Sequence, residues 1–524
     1  MTIPQDLKKN YTDIVGADNV TDDLLEREYF SHDVFSIDSL AAVVVSPENA
    51  EQLSKVVAES FKHKRQMSVR GGGMSYSSGY TPTSDDVTLL DLSRMNRVLE
   101  INQQDMYVTV ESGISWSKLH ETLKEYGLRT PYWGTLSGIN ASVGGSISQN
   151  SIFWGSGEYG SSADSVLSLE VVLSDGKIIK TGSASKADTL PFFRHYGPDL
   201  TGLFTGDCGA LGFKAAVTLR LIPEYEARAY GSFSFTNEQD MLEAMTSISR
   251  KNLAKECFGF DPYLQEQRMK RESLSRDASQ LLGVLKNSGG LKEGMKNSIG
   301  LALSGRRFMK EVSWSFNVIV EERTKNSAQD ALNKILDIIK LNNGTILADS
   351  IPKLIRSNPF GPVNNMVGPN GERWVPVHGL VPHSKSLEIF KKLNDLFASH
   401  QQTIDKYNIG VGYLFSTVST TCTVIEPVFF WPDQLEEIHK RSLEPAHLKN
   451  LKGFKADEDA RDAVKTIRQE VAKLFLASGS VNLQIGKSYP YKSEIAPANF
   501  GLLSLIKSHL DPHNLVNPGV LGLN

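Results

Sequence analysis

The spacing of hydrophobic and polar positions changes several times along the 524 residues of this chain. Between residues 47 and 65, apolar side chains recur at Leu53, Val56, Val57 and Phe61. That is helical spacing with one buried face, and Pro47 and Glu48 suit a first turn. Met67-Ser68-Val69, Val87 to Leu92, Met106 to Glu111 and Ala216 to Ile222 are rich in apolar and β-branched residues and predict strands, the last ended by Pro223. Residues 115 to 126 predict a helix. Alternating runs at Val166 to Leu173 and Lys177 to Lys180 flank Asp175-Gly176, which predicts a hairpin. Beyond residue 225 helical spacing lengthens, at Ser327 to Leu341, Ser386 to Phe397 and Asp457 to Leu476, with strand-like runs at Val312 to Val320 and Thr421 to Phe430. The pattern predicts an α+β protein with one unit over residues 1–225 and a second over 226–500. A C-terminal segment, 501–524, is expected to return to the first unit, and within it the stretch from Leu510 to Gly519 is turn chemistry, not helix. Residues 266 to 308 are polar, glycine-containing and basic, and predict a mobile insertion.

Composition narrows the function classes. Hydrophobic residues make up 40% and charged ones 22%, as in ordinary globular proteins. A formal net charge of -4 argues against nucleic acid as the main partner. The three cysteines, Cys208, Cys257 and Cys422, form no CxxC pair, which excludes a thiolate zinc site and fits a reducing compartment. The first residues carry no apolar signal-peptide core, and no apolar run reaches the ~20 residues that span a bilayer. A cytoplasmic location is expected, with peripheral membrane association left open.

Glycine carries the chemistry. One dense segment runs Arg70-Gly71-Gly72-Gly73-Met74-Ser75-Tyr76, and a second, about seventy residues on, runs Ser142-Val143-Gly144-Gly145-Ser146. Loops without side chains can aim several backbone N–H groups at one phosphate, so two such loops suggest a ligand with two phosphates. Other nucleotide motifs fail: Gly71-Gly72-Gly73 lacks dinucleotide-fold spacing, and Val481 stands where a P-loop ending at Gly486-Lys487-Ser488 needs glycine.

The order of these pieces resembles the vanillyl-alcohol oxidase/p-cresol methylhydroxylase family of flavoproteins, in its glycolate oxidase and D-lactate dehydrogenase-like branch. The matching stretches are Val69 to Ser75, Asp91 to Asn96, Val110 to Gly113, Ser142 to Ser146, Leu169 to Gly176, Phe204 to Gly212 and Asn517-Pro518-Gly519. The resemblance covers residues 39 to 223 and the C-terminal tail, and is loose between. It implies a two-subdomain FAD-binding domain with an α+β cap that forms the substrate pocket. The amides of Gly71, Gly72, Gly73, Met74 and Ser75 and of Gly144, Gly145 and Ser146 would cradle the pyrophosphate, with Arg70 and Asn150 as further cofactor-binding candidates. Gly206, Gly209 and Gly212 would line the adenine and ribose side. Pro131, Gly134, Thr135 and Ser137 would approach the flavin ring, and Asn517 is a further cofactor-binding candidate.

Met74 stands where some relatives attach FAD through histidine, so the flavin is expected to be non-covalent. Asn482-Leu483-Gln484-Ile485-Gly486 replaces the Glu-His-Gly-Ile-Gly of metal-assisted relatives, so no metal is expected. The implied reaction is oxidation of a hydroxyl-bearing small molecule by hydride transfer to flavin N5. The substrate would be a 2-hydroxy acid such as lactate or glycolate, or a related alcohol. An aromatic or phenolic alcohol, or a flavin-binding protein without catalysis, are the alternatives. The electron acceptor stays open among oxygen, a quinone, a cytochrome and a flavoprotein, and a homodimer is plausible from relatives.

Such chemistry needs a partner for the hydroxyl proton. His378, in the apolar segment Val377 to Pro382, is either that base or a satisfied core histidine. Glu426, a carboxylate inside an apolar strand, lines the pocket or is salt-bridged. Lys487 is a candidate for a substrate carboxylate and Tyr489 for an alkoxide, against the reading of both as a surface turn. Arg356 is a second carboxylate candidate, and Tyr132 and Trp133 could stack on the flavin or pack a core.

Overall fold

The structure is a computed structural model that describes residues 3–271 and 313–524. In the first unit, Val43–Val45, Thr88–Asp91 and Met67–Arg70 pair in parallel, with the short strand Val20–Thr21 antiparallel on the far edge. The helix Ala50–Lys62 carries the expected buried stripe, Leu53, Val56 and Val57. Its cap is Asn49, whose side chain accepts from the Gln52 N–H at 3.0 Å, so the first turn begins three residues later than Pro47. The stripe packs with Leu7, Tyr11 and the strand residues Val43, Val45 and Met67 in one core.

A five-stranded antiparallel sheet follows, in the order Val98–Asn102, Tyr107–Glu111, Phe213–Arg220, Val166–Val172, Ile178–Lys180. The Asp175-Gly176 hairpin forms as expected, Val172 pairing with Ile178. Between these strands the second glycine segment is not a loop. Val143–Gln149 is a helix whose N-cap, Ser142, accepts from the Gly145 N–H at 3.2 Å, and the small residues allow close packing in its first turn. The tail comes back to the first sheet: Met67 N–H donates to the Leu515 carbonyl and Asn517 N–H to the Met67 carbonyl, both at 2.7 Å.

The second unit is built on one eight-stranded sheet. The order is Thr345–Leu347, Ala227–Phe235, Trp314–Glu322, Glu256–Phe260, Gly410–Val418, Cys422–Trp431, Arg373–Pro376, and Gly379–Pro382 also pairs with Cys422–Trp431. Strand alternation makes this sheet a partition. Ile425, Phe429 and Trp431 face a core with Met241, Ile335, Phe390 and Val471 from the covering helices Glu238–Arg250, Lys325–Leu341, Ser386–Ser399 and Glu458–Ala477. Phe258, Val428 and Phe430 face the other way, into a core shared with Trp133, Val143 and Trp154 of the first unit. The expected insertion at 266–308 opens inside the helix Pro262–Arg271, and its remainder from residue 272 lies outside the described residues. Among the described residues, no helix is long and apolar enough to cross a membrane.

Candidate active site

A cavity of about 310 Å³ lies between the glycine segments and the cap sheet. The two glycine segments meet there. A Cβ on Gly72 would run into the Asn140 carbonyl, and Gly73 has φ +73°, so only glycine fits this path without strain. Among the described residues, the backbone N–H groups of Gly71, Gly72, Gly73, Met74 and Ser75 have no acceptor, and all five residues line the cavity. The other side differs from expectation. Gly144 N–H donates to the Ser112 carbonyl, Gly145 N–H to Ser142 Oγ and Ser146 N–H to the Ser142 carbonyl. These amides are committed to the helix start, so Gly144, Gly145 and Ser146 offer an approachable backbone surface instead of donors.

Thr135, Ser137, Gly209 and Gly212 also line the cavity, whereas six expected residues sit behind its wall. Arg70 is buried, its guanidinium 4.7 Å from the Tyr29 ring centre and 4.9 Å from that of Phe30. The Pro131 carbonyl accepts from Arg129 at 3.1 Å, and that of Gly134 accepts from Trp154 N–H. Asn150 ends the helix Val143–Gln149 in a left-handed conformation, and Gly206 N–H donates to the Ile147 carbonyl. Asn517 Nδ2 donates to the carbonyls of Gly79 and Cys208, each at 2.8 Å, and so ties the first glycine segment to the 206–212 loop. Residues that sequence reasoning missed complete this side: Gln149 and Ser151 beside the helix end, and Lys214, whose ammonium is paired with Asp207. The helical spacing of Val143 and Ile147 behind a serine cap was the available signal for the first two.

From the cap come Leu414, Ser416, Glu426 and Val428 on one sheet face, Leu414 directly opposite Glu426 in register. Glu426 has no ion-pair partner among the described residues, and burial pushes its carboxyl up to about 7. His378 lines the same cavity from the crossing between Arg373–Pro376 and Gly379–Pro382. It is buried, its Nε2 has no partner, and burial pushes its pKa down to about 4, so the ring is neutral at ordinary pH. Asn482 Nδ2 donates to the His378 carbonyl at 2.6 Å.

The remaining candidates are elsewhere. Tyr489 stands behind His378: its hydroxyl accepts from the His378 backbone N–H at 3.2 Å and lies 3.5 Å from Nδ1, and burial pushes its pKa up to about 12. Lys487 faces a different cavity and donates to the Thr81 carbonyl at 2.6 Å. Arg356 is bound to Glu321 and Glu224, both at 2.7 Å, in a buried ionic cluster with Arg129, and its guanidinium covers Trp133 at 4.5 Å. Trp133 stacks on Trp154 at 4.8 Å, and Tyr132 is bonded to Ser151 at 2.9 Å. Core packing accounts for both rings. Among the described residues, Lys214 is the one lysine or arginine lining the 310 Å³ cavity, and no group of three or more His, Cys, Asp or Glu could hold a metal ion.

Comparisons with known proteins bear on the fold and on the cofactor. Residues 41–182 match the family described as FAD binding domain. The chain is 30% identical over 227 residues to glycolate oxidase subunit GlcD of Bacillus subtilis, covering 43% of this chain and 47% of that one. It is 34% identical over 252 residues to a mitochondrial D-lactate dehydrogenase (cytochrome) of Arabidopsis thaliana, covering 47% and 42%. The match thus spans about half the length of these relatives. In fold, p-cresol methylhydroxylase with substrate bound aligns over 100% of this chain and 98% of its own, with TM-score 0.75 at 16% identity. Alkyldihydroxyacetonephosphate synthase aligns over 99% and 86%, with TM-score 0.73 at 15% identity. The α+β fold is therefore shared with both structures, and within it residues 41–182 of this chain match an FAD binding domain.

Proposed function

We propose that this chain is an FAD-dependent oxidoreductase that oxidises a hydroxyl-bearing small molecule with an uncharged, largely apolar body. The observation that carries the reading is Glu426: a carboxyl without a cation, on an apolar cap wall, across the cavity from the open Gly71–Ser75 amides. Those five amides would hold the pyrophosphate, Gly209 and Gly212 would border the ribose and adenine side, and Thr135 and Ser137 would border the ring. Met74, with no nucleophilic nitrogen, would leave the cofactor non-covalent. When bound, FAD supplies the two-electron acceptor for the carbinol carbon.

The protein's part is binding and proton handling. Glu426, poised near neutrality, accepts the hydroxyl proton as the carbinol is oxidised. Neutral His378 offers its unpartnered Nε2 to the substrate oxygen, and Tyr489 holds the His378 backbone from behind. Leu414, Val428 and Trp374 exclude water and suit an apolar substrate body.

A second reading, oxidation of a 2-hydroxy acid, is favoured by the names of the curated relatives. Against it stands the lack of a free lysine or arginine on the cavity wall among the described residues, because an unpaired carboxylate is costly to bury there. A matched pair separates them: anaerobic flavin bleaching by benzyl alcohol and by mandelate, which adds a carboxylate to the same carbinol. Faster bleaching by benzyl alcohol supports the uncharged-substrate reading. Bleaching by mandelate or lactate but not by the alcohol refutes it.

A further inference from the structure

Beside the 310 Å³ cavity lies a second one of about 360 Å³, bounded by the segment His32–Asp38, the helix Glu458–Ala477 and the turn at residues 487–489. Its wall is rich in cations, and they fall into two groups. Arg461 is held by Asp433 at 2.6 Å, and Arg373 lies 3.9 Å from Asp433 and 3.8 Å from Glu436, so their charge is answered. Arg468, Lys465 and Lys487 line the same wall without a direct ion pair among the described residues; Asp38 and Asp33 act on Lys487, and Asp33 on Arg468, without a direct contact. Arg468 is 6% exposed; its Nη2 donates to the Tyr76 and Pro376 carbonyls at 3.2 Å, and its Nε is buried with no acceptor.

A buried guanidinium with an open Nε–H, beside the Lys487 ammonium and the exposed Lys465, leaves a donor that an anion in this space would satisfy. The acids on the same wall do not fill it. Glu436 lies beside Arg373, Asp462 is exposed, Asp38 accepts from Thr81 Oγ1 at 2.8 Å, and Asp33, behind the wall, accepts from the backbone N–H groups of Phe35, Ser36 and Ser78, so none of them contacts the open Arg468 Nε. We propose that this cavity binds a small anion with two or more negative charges, taken by Arg468, Lys465 and Lys487 through charge-assisted hydrogen bonds. The site is separate from the flavin cavity, though the two share a wall: Tyr76, whose carbonyl Arg468 holds, lines the other cavity. Carboxylate and phosphate groups offer the same chemistry to these donors.

The test uses the FAD-loaded full chain, so that the open glycine amides cannot take up the probe. Calorimetric titration with citrate and, separately, inorganic phosphate distinguishes the two anion types. Saturable one-to-one binding of either probe, weakened about tenfold or more in Lys465→Gln and in Arg468→Gln, is expected. Because Arg468 is buried and its replacement can fail to fold, Lys465→Glu on the exposed helix face provides an independent variant. Absence of binding by both probes overturns the proposal. So does affinity unchanged in Lys465→Gln and Lys465→Glu.

Discussion

Replacing Glu426 with glutamine keeps the shape of the side chain and removes its proton chemistry. In the folded protein the carboxyl is lifted from an ordinary 4.5 to about 7, and burial is the cause. At ~1.36 kcal/mol per pKa unit, that lift corresponds to about 3 kcal/mol of disfavoured charge. The sign follows from proton counting. Between 4.5 and about 7 the folded state holds a proton that the unfolded state has lost, so stability falls as pH rises through this window. Glu426→Gln should therefore match the wild type at about pH 4.5 and exceed its stability by up to ~3 kcal/mol above about pH 8. The same ionised carboxylate is the proton acceptor for the substrate. Wild-type flavin bleaching by an alcohol should rise as pH passes about 7. The variant should lose that inflection and slow by roughly 10²–10⁴-fold. Thermal unfolding at several pH values, paired with anaerobic stopped-flow bleaching, reads both effects. An inflection retained in the variant, or a stability difference that does not grow with pH, would refute the reasoning.

Other residues give equally direct outcomes. Gly72→Val should abolish flavin loading, because its side chain meets the Asn140 carbonyl where the two glycine segments cross; a fully loaded variant with native circular dichroism would contradict this. Asn517→Ala should cost about 1–3 kcal/mol and weaken FAD retention on dilution, since the Gly79 and Cys208 carbonyls lose a shared donor. Arg356→Ala should cost about 3–5 kcal/mol by leaving Glu321 and Glu224 short of a cation in the buried cluster, visible as a lowered thermal midpoint. Tyr489→Phe should retain FAD but slow bleaching, with the added cost of an unsatisfied His378 N–H; an unchanged bleaching rate would remove Tyr489 from the account.

The period of the apolar positions was enough to locate most strands and helices, because burial on one face imposes that period whatever the tertiary detail. The Ala50–Lys62 stripe and the Asp175-Gly176 hairpin formed where the pattern predicted them. Val143–Gln149 escaped because two glycines hide a helix whose first turn is selected for close packing and not for propensity. Glu426 was legible as an anomaly, a carboxylate in an apolar strand, although the strand alone did not say which face it occupied. Lys487 and Arg356 show the opposite case. A lone cation in a loop or on a helix end carries no record of its partner, and only the fold sends one to the Thr81 carbonyl and the other to Glu321.

The most direct test of the account is the visible absorbance spectrum of the purified protein, taken before and after acid precipitation. The account predicts flavin absorbance that moves into the supernatant, as expected for a cofactor held by the Gly71–Ser75 amides without a bond to Met74. A colourless protein that takes up no added FAD would contradict the assignment of the glycine-lined cavity, and colour retained in the pellet would contradict non-covalent binding.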